Sequence, residues 1–145
     1  MTFKNRISQN HILAFCIGLV YVWFGVLKYF SGESPAEELA KNTINLLTYG
    51  LIPSKVSILL LALSETIIGL LLILNIYRKQ VVIVALIHIA FTFTPLFLFP
   101  EESFTNSIFS FSLLGQYIFK NIVIIGALIT LYKSPIITIE IEHIK

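Results

Sequence analysis

Charge is what this sequence has least of. Ten Lys and Arg and eight Asp and Glu make up 12% of its 145 residues. A soluble domain carries about 25%, and a chain of this length has a large surface to cover with polar groups. Water is therefore not the solvent for most of the exterior. The net charge of +2 is too small to indicate a nucleic-acid partner. Cysteine is almost missing. Cys16 alone excludes an intramolecular disulfide and any CxxC redox or zinc motif, and inside its apolar run it serves as a small filler. Of His11, His88 and His143, only His88 lies deep in an apolar run, so no bis-histidine haem and no metal site is expected. A cleaved signal peptide is not expected either. Lys4 and Arg6 precede a run long enough to span, with no small-x-small site after it.

What is there is apolar. Hydrophobic residues make up 57% of the chain, the mean hydropathy is +0.89, and the apolar residues lie in long blocks. A membrane helix needs about 20 such residues. Four stretches qualify, at about residues 11–30, 54–77, 81–99 and 113–132. Short connections make neighbours antiparallel. The expected fold is an all-α membrane protein, a single domain over residues 1–145 built as an antiparallel four-transmembrane-helix bundle. Lys4, Arg6, Arg78, Lys79 and Lys133 then fall on one side. The lysine and arginine bias predicts an inner (cytoplasmic) membrane location with both termini cytoplasmic. In the first outer loop, Ser34-Pro35-Ala36-Glu37 has the form of a capping box, with Ser34 as N-cap. Ala36, Leu39, Ala40, Thr43, Leu46 and Leu47 follow at helical spacing, and Gly50 is placed to end the helix. This predicts an outer amphipathic helix over about residues 35–49. Residues 101–112 carry no readable pattern. The tail from Ile136 alternates apolar and polar residues, as a strand against a partner or a ragged end would.

Polar residues inside spans usually face a bundle interior. At 1.5 Å per residue, Glu65 lies roughly 16 Å deep, His88 roughly level with it and Lys120 at roughly 10 Å, with Lys28 near the outer boundary. Thr92 lies one turn after His88, with Pro95 following to bend or end that helix, and Gln116 lies one turn before Lys120, each pair on one helix face. Ser64 and Asn121 can join them. The spacing predicts a polar pocket in the outer half of the bundle, formed by Lys28, Glu65, His88, Thr92, Gln116, Lys120 and Asn121. Leu70, Leu71, Ile83, Val84, Ile124 and Ile125 are expected to close it toward the cytoplasm. Pairing of Lys120 with Glu65 is the favoured contact. The structural alternatives are Lys28 as a snorkelling anchor, Glu65 in an architectural ion pair or protonated, and His88 as a packing residue. Gly25 and Gly69 are expected where helices pack closely.

Several segments together resemble the DoxX-like family. They are Gly25-x-x-Lys28 in its FGxLK setting, Glu65-x-x-x-Gly69, His88-x-x-x-Thr92, SPAEELA at residues 34–40, TFTPLFLFP at 92–100 and GQYIFKN at 115–121. The resemblance covers nearly the whole chain. It implies a four-helix membrane protein and, more loosely, a role beside redox systems. The family name comes from the small subunit of a thiosulfate:quinone oxidoreductase, other relatives are linked to oxidative-stress complexes, and distant ones act as membrane chaperones. The paired cysteines of disulfide-handling relatives are missing here, so thiol oxidation does not carry over.

Two functions fit. In the first, the chain is the membrane subunit of a redox-associated system and binds a quinone or similar amphiphile. Lys28, Lys120, Gln116 and His88 would donate to its carbonyls, Glu65 would exchange protons, and Trp23, Phe91 and Phe93 would flank the ring. In the second it is a non-catalytic accessory subunit or chaperone, recognising another membrane protein through the outer helix. Expected partners are the lipid bilayer and a membrane or redox protein or further copies of the chain. A transport pathway through four spans without a repeat would require an oligomer.

Overall fold

A backbone that crosses hydrocarbon has no water to bond, and a helix satisfies its N–H and C=O groups within one segment. The computed structural model describes residues 2–105, 107 and 109–134, with side chains from residue 10 onward. Within them run α1 (Thr2–Leu27), α2 (Glu37–Leu47), α3 (Ser54–Ile73), α4 (Arg78–Phe91), α5 (Thr94–Leu98), α6 (Pro100–Ser103), α7 (Leu113–Phe119) and α8 (Asn121–Lys133). Asn10–Leu27, Ser54–Ile73, Arg78–Leu98 and Leu113–Lys133 are long and apolar enough to cross a membrane, the last two each assembled from two consecutive helices. The all-helical class and the four candidate spans agree with the sequence. The tail from Ile136 lies outside the described residues.

The ends differ from expectation for local reasons. α1 starts at Thr2 and stops at Leu27, and residues 28–30 tighten into i→i−3 turns, Lys28 N–H to Gly25 O at 3.2 Å and Tyr29 N–H to Val26 O at 3.1 Å. α3 stops at Ile73 instead of near residue 77, because Asn75 takes a left-handed conformation (φ 55°). Asn75 N–H then donates to Leu72 O (3.1 Å) and Ile76 N–H to Leu71 O (3.0 Å), a Schellman closure in which asparagine replaces the usual glycine. α4 accordingly starts at Arg78, ahead of the expected residue 81. The bend expected from Pro95 is present, with α4 ending at Phe91 and α5 restarting at Thr94. The break at Lys120 was not legible. There Val123 N–H bonds Lys120 O at 3.0 Å, an i→i−3 contact.

α2 forms, but without the expected cap. Ala36 occupies the N-cap position with no side-chain bond. Glu37 reaches back past Ser34, and its Oε2 accepts the Gly32 amide at 2.8 Å. Its Oε1 pairs with Lys41 at 2.7 Å. The C-terminus closes at Tyr49 (φ 51°), one residue before Gly50, with Gly50 N–H on Asn45 O at 2.8 Å. In the last loop α6 is followed by an isolated Phe104–Phe111 bridge. Ser112 then caps α7 by accepting the Gly115 amide at 3.0 Å.

α1 and α3 are the most intimate pair. A Cβ on Gly69 would lie 2.6 Å from Gly18 O and 2.7 Å from Val22, and one on Gly18 would lie 2.7 Å from Gly69 O. A Cβ on Gly25 would meet Thr66 Oγ1 at 2.6 Å and Ala62 O at 3.1 Å. Gly25 and Gly69 therefore sit where packing needs them, and Gly18 is a third such position the sequence reading missed. Ala14, Ile17, Tyr21, Ile68 and Leu72 join Val81, Val82, Ala85 and Ile89 of α4 and Leu128 and Leu131 of α8 in one core. The Tyr21 hydroxyl ties α1 to α4 by donating to Ala85 O at 3.0 Å. At the C-terminal end of α8, Ser134 Oγ donates to Asn10 Oδ1 at 3.1 Å, and the Arg78 guanidinium donates to Ser134 O at 3.1 Å. Leu71, Ile124 and Ile125 pack against the core, but Leu70, Ile83 and Val84 are exposed and close nothing. They share the outside with Phe15, Leu19, Leu63 and Ile87, an apolar exterior suited to lipid.

Two outcomes follow from this packing. Gly69→Val should destabilise the protein by about 1–3 kcal/mol through overpacking, while Gly126→Ala, which points into open space, should not; thermal unfolding in detergent compares them. The Lys41 ammonium and the Gly32 amide hold the Glu37 carboxyl below the usual carboxylate range. Its contribution is thus present at neutral pH and lost as pH falls through that lowered value. Glu37→Gln should lower the melting temperature at pH 7 and flatten its fall in acid.

Candidate functional site

Gly25 brings α3 against the end of α1, and one turn later Lys28 faces Glu65. The Lys28 ammonium donates to Glu65 Oε2 at 2.6 Å and to Phe24 O at 3.2 Å. Both side chains are about nine-tenths covered, 9% and 10% exposed. A pair so enclosed is strongly interdependent, because removing one partner strands the other. α4 adds His88, whose Nε2 lies 3.5 Å from Glu65 Oε1. That is too long for a firm hydrogen bond. Both imidazole nitrogens are buried with no hydrogen-bond partner among the described residues. The Tyr21 ring lies against the imidazole with centroids 5.5 Å apart, tilted by 56°. Tyr21, Gly25 and Lys28 are spaced so that one stripe of α1 carries all three, a repeat that could have disclosed Tyr21 beforehand.

The remaining expected members divide into other contacts. Asn121 Nδ2 donates to Thr92 Oγ1 at 3.0 Å, joining the start of α8 to the end of α4. Thr92 itself donates to Ile89 O at 2.6 Å. Ser64 is occupied by Leu61 O at 2.9 Å and joins no network. Gln116 is exposed and donates to Phe111 O at 3.2 Å. Lys120 does not pair with Glu65. It faces outward, its ammonium 4.0 Å from the Tyr117 ring centroid and 5.1 Å from that of Phe24. The reason is geometric: Glu65 is already engaged across the α1–α3 contact, and the turn at Lys120 aims its side chain at the α1–α7 aromatic edge. Trp23 and Phe91 are exposed and Phe93 is half-buried, so these rings do not enclose the ion pair.

The arrangement offers a carboxylate fixed by an ammonium and an imidazole with two unsatisfied nitrogens beside it. A buried polar group left this way is costly unless something else completes it. The imidazole can donate through one nitrogen and accept through the other, and the Glu65 carboxylate beside it can exchange a proton. Among the described residues, no three His, Cys, Asp or Glu side chains group closely enough to hold a metal ion. Comparison with models of known families, with curated proteins and with solved structures gives no match.

Glu65→Ala should cost about 3–5 kcal/mol by stranding the Lys28 charge, whereas the double replacement Lys28→Met with Glu65→Leu should recover most of that loss. Lys120→Ala should cost under about 1 kcal/mol, the scale of an exposed cation–π contact. Melting curves of the four proteins in one detergent give the comparison.

Proposed function

We propose that the protein is a multi-pass inner-membrane protein of the DoxX-like kind, whose Lys28–Glu65–His88 cluster binds the headgroup of a quinone or similar amphiphile as the membrane subunit of a redox-associated system. The observation that carries this is the His88 imidazole, buried without a partner beside a carboxylate already held by Lys28. A quinone carbonyl accepts from an imidazole N–H or from the Lys28 ammonium, and a quinol hydroxyl donates to Glu65. The apolar exterior suits a ligand that arrives from lipid. The chain has no electron-carrying centre of its own that the sequence discloses, so electrons would come from a bound cofactor or a redox partner.

An antiparallel bundle is part of this reading. It is supported by the order in which α1 meets α3, Gly18 with Gly69, Gly25 with Thr66 and Lys28 with Glu65. Both termini are assigned to the cytoplasmic side on the lysine and arginine bias. α2 is then an outer helix. It turns Leu39 and Thr43 inward and leaves Leu46 and Leu47 to the interface.

One observation favours a second reading, a non-catalytic accessory subunit. Tyr49, Leu51, Phe97, Phe109 and Leu113 are almost fully exposed in and around the proposed outer loops, as a surface for another membrane protein would be.

A short-chain benzoquinone added to detergent-purified protein separates the two. At about 100 times its Kd it should stabilise the wild type by about 2.7 kcal/mol and appear as a stoichiometric adduct in native mass spectra. His88→Gln and the double replacement Lys28→Met with Glu65→Leu should keep the fold and lose the shift. An unchanged shift in both variants, or a stoichiometric protein partner with no small adduct, would remove the quinone reading; the second result would favour the accessory one.

A further inference from the structure

Lys120 stands apart from the Lys28–Glu65–His88 cluster, at the break between α7 and α8, and is exposed. Its ammonium rests on the faces of Tyr117 and Phe24, which meet edge to face with centroids 5.5 Å apart. The rings attract the cation through their quadrupoles but carry no net charge. Lys28 and Lys41 are each answered by carboxylates. Lys120 has none within ion-pair distance among the described residues, yet it lies inside the candidate span Leu113–Lys133. Leu113, Phe119, Ile122 and Val123 around it are exposed and apolar. A cation on an apolar outer face of a span is costly unless an anion from outside the chain meets it.

The local geometry says where that anion sits. Helical side chains lean toward the N-terminus of their helix, and the position of Nζ over Tyr117, one turn earlier, shows that Lys120 leans toward the Leu113 end. One further donor lies on the same turn. The Gln116 amide uses one N–H on Phe111 O and is otherwise exposed. One ammonium and one carboxamide suit an anion with several oxygens, and the apolar strip toward Val123 suits an acyl chain. The fourth span also has the smallest buried share of the four, which leaves room for one.

We propose that this face binds an anionic phospholipid of the leaflet at the Leu113 end, with Lys120 on the phosphate, Gln116 donating to its oxygens, and the acyl chains along Phe119 and Val123. A phosphate at headgroup level is where a lysine leaning that way delivers its charge.

The test reconstitutes the protein in vesicles of equal parts phosphatidylglycerol and phosphatidylcholine, extracts it in mild detergent and counts retained lipids by native mass spectrometry. The wild type should retain phosphatidylglycerol selectively. Lys120→Gln should cut that retention by about tenfold, the scale of one hydrogen bond to a charged group. Lys133→Gln at the far end of α8 should leave it unchanged, both with normal melting curves. Equal retention of both lipids, undiminished retention in Lys120→Gln, or an equal loss in Lys133→Gln would overturn the proposal. A bound protein on this face in place of lipid would overturn it as well.

Discussion

A carboxylate deep in an apolar helix persists as an ion only where a cation answers it, and in this chain Lys28 does so at 2.6 Å. Much of the arrangement follows from that requirement. Reaching Glu65 demands that α1 and α3 nearly touch, which Gly18, Gly25 and Gly69 permit because a Cβ at any of them would strike the neighbouring helix. Their close approach fixes the rotation of α1, and the same rotation carries Tyr21 toward α4, where its hydroxyl holds Ala85 O and its ring meets His88. Replacing a buried pair by apolar residues is often neutral or stabilising. Stability alone is therefore a poor reason for Lys28 and Glu65 to be where they are.

Much of this was legible in the sequence because hydrocarbon imposes a simple length rule. Four apolar runs gave four candidate spans, and Pro95 gave the bend between α4 and α5. What sequence spacing could not give was which residues meet across helices. Spacing along the helices puts Glu65 and His88 level, and their side chains do meet, but depth along an axis does not fix rotation about it, and Lys120 points outward. Lys28, whose position near the boundary suits a snorkelling anchor equally well, is the partner of Glu65. At the helix ends, continued apolarity hid the left-handed turn at Asn75, although asparagine is the residue most able to make it after glycine. The capping box failed because Glu37 found the Gly32 amide, freed by a left-handed glycine (φ 87°), ahead of the Ser34 amide.

The two membrane-level lysines show two ways of accommodating the same charge. Lys28 is sealed against Glu65 within the α1–α3 contact, whereas Lys120 lies on an aromatic edge with its charge turned outward. Sequence depth placed both in the outer half of a single pocket. The structure separates them by role, one organising the inside and the other the exterior.

The contact between α1 and α3 also bears on the order in which the protein is made. These two helices come first and third along the chain, separated by the short helix α2, so all the groups in their interface are synthesised before α4 begins. The ammonium of Lys28 need not wait alone in the lipid for a distant partner, since Glu65 follows it on the next apolar helix. A hairpin of α1 and α3 can leave the insertion machinery with its two charges already cancelled and its glycine faces already joined. α4 and the later helices then assemble onto a finished template, and His88 is the group that arrives last at a carboxylate already spoken for.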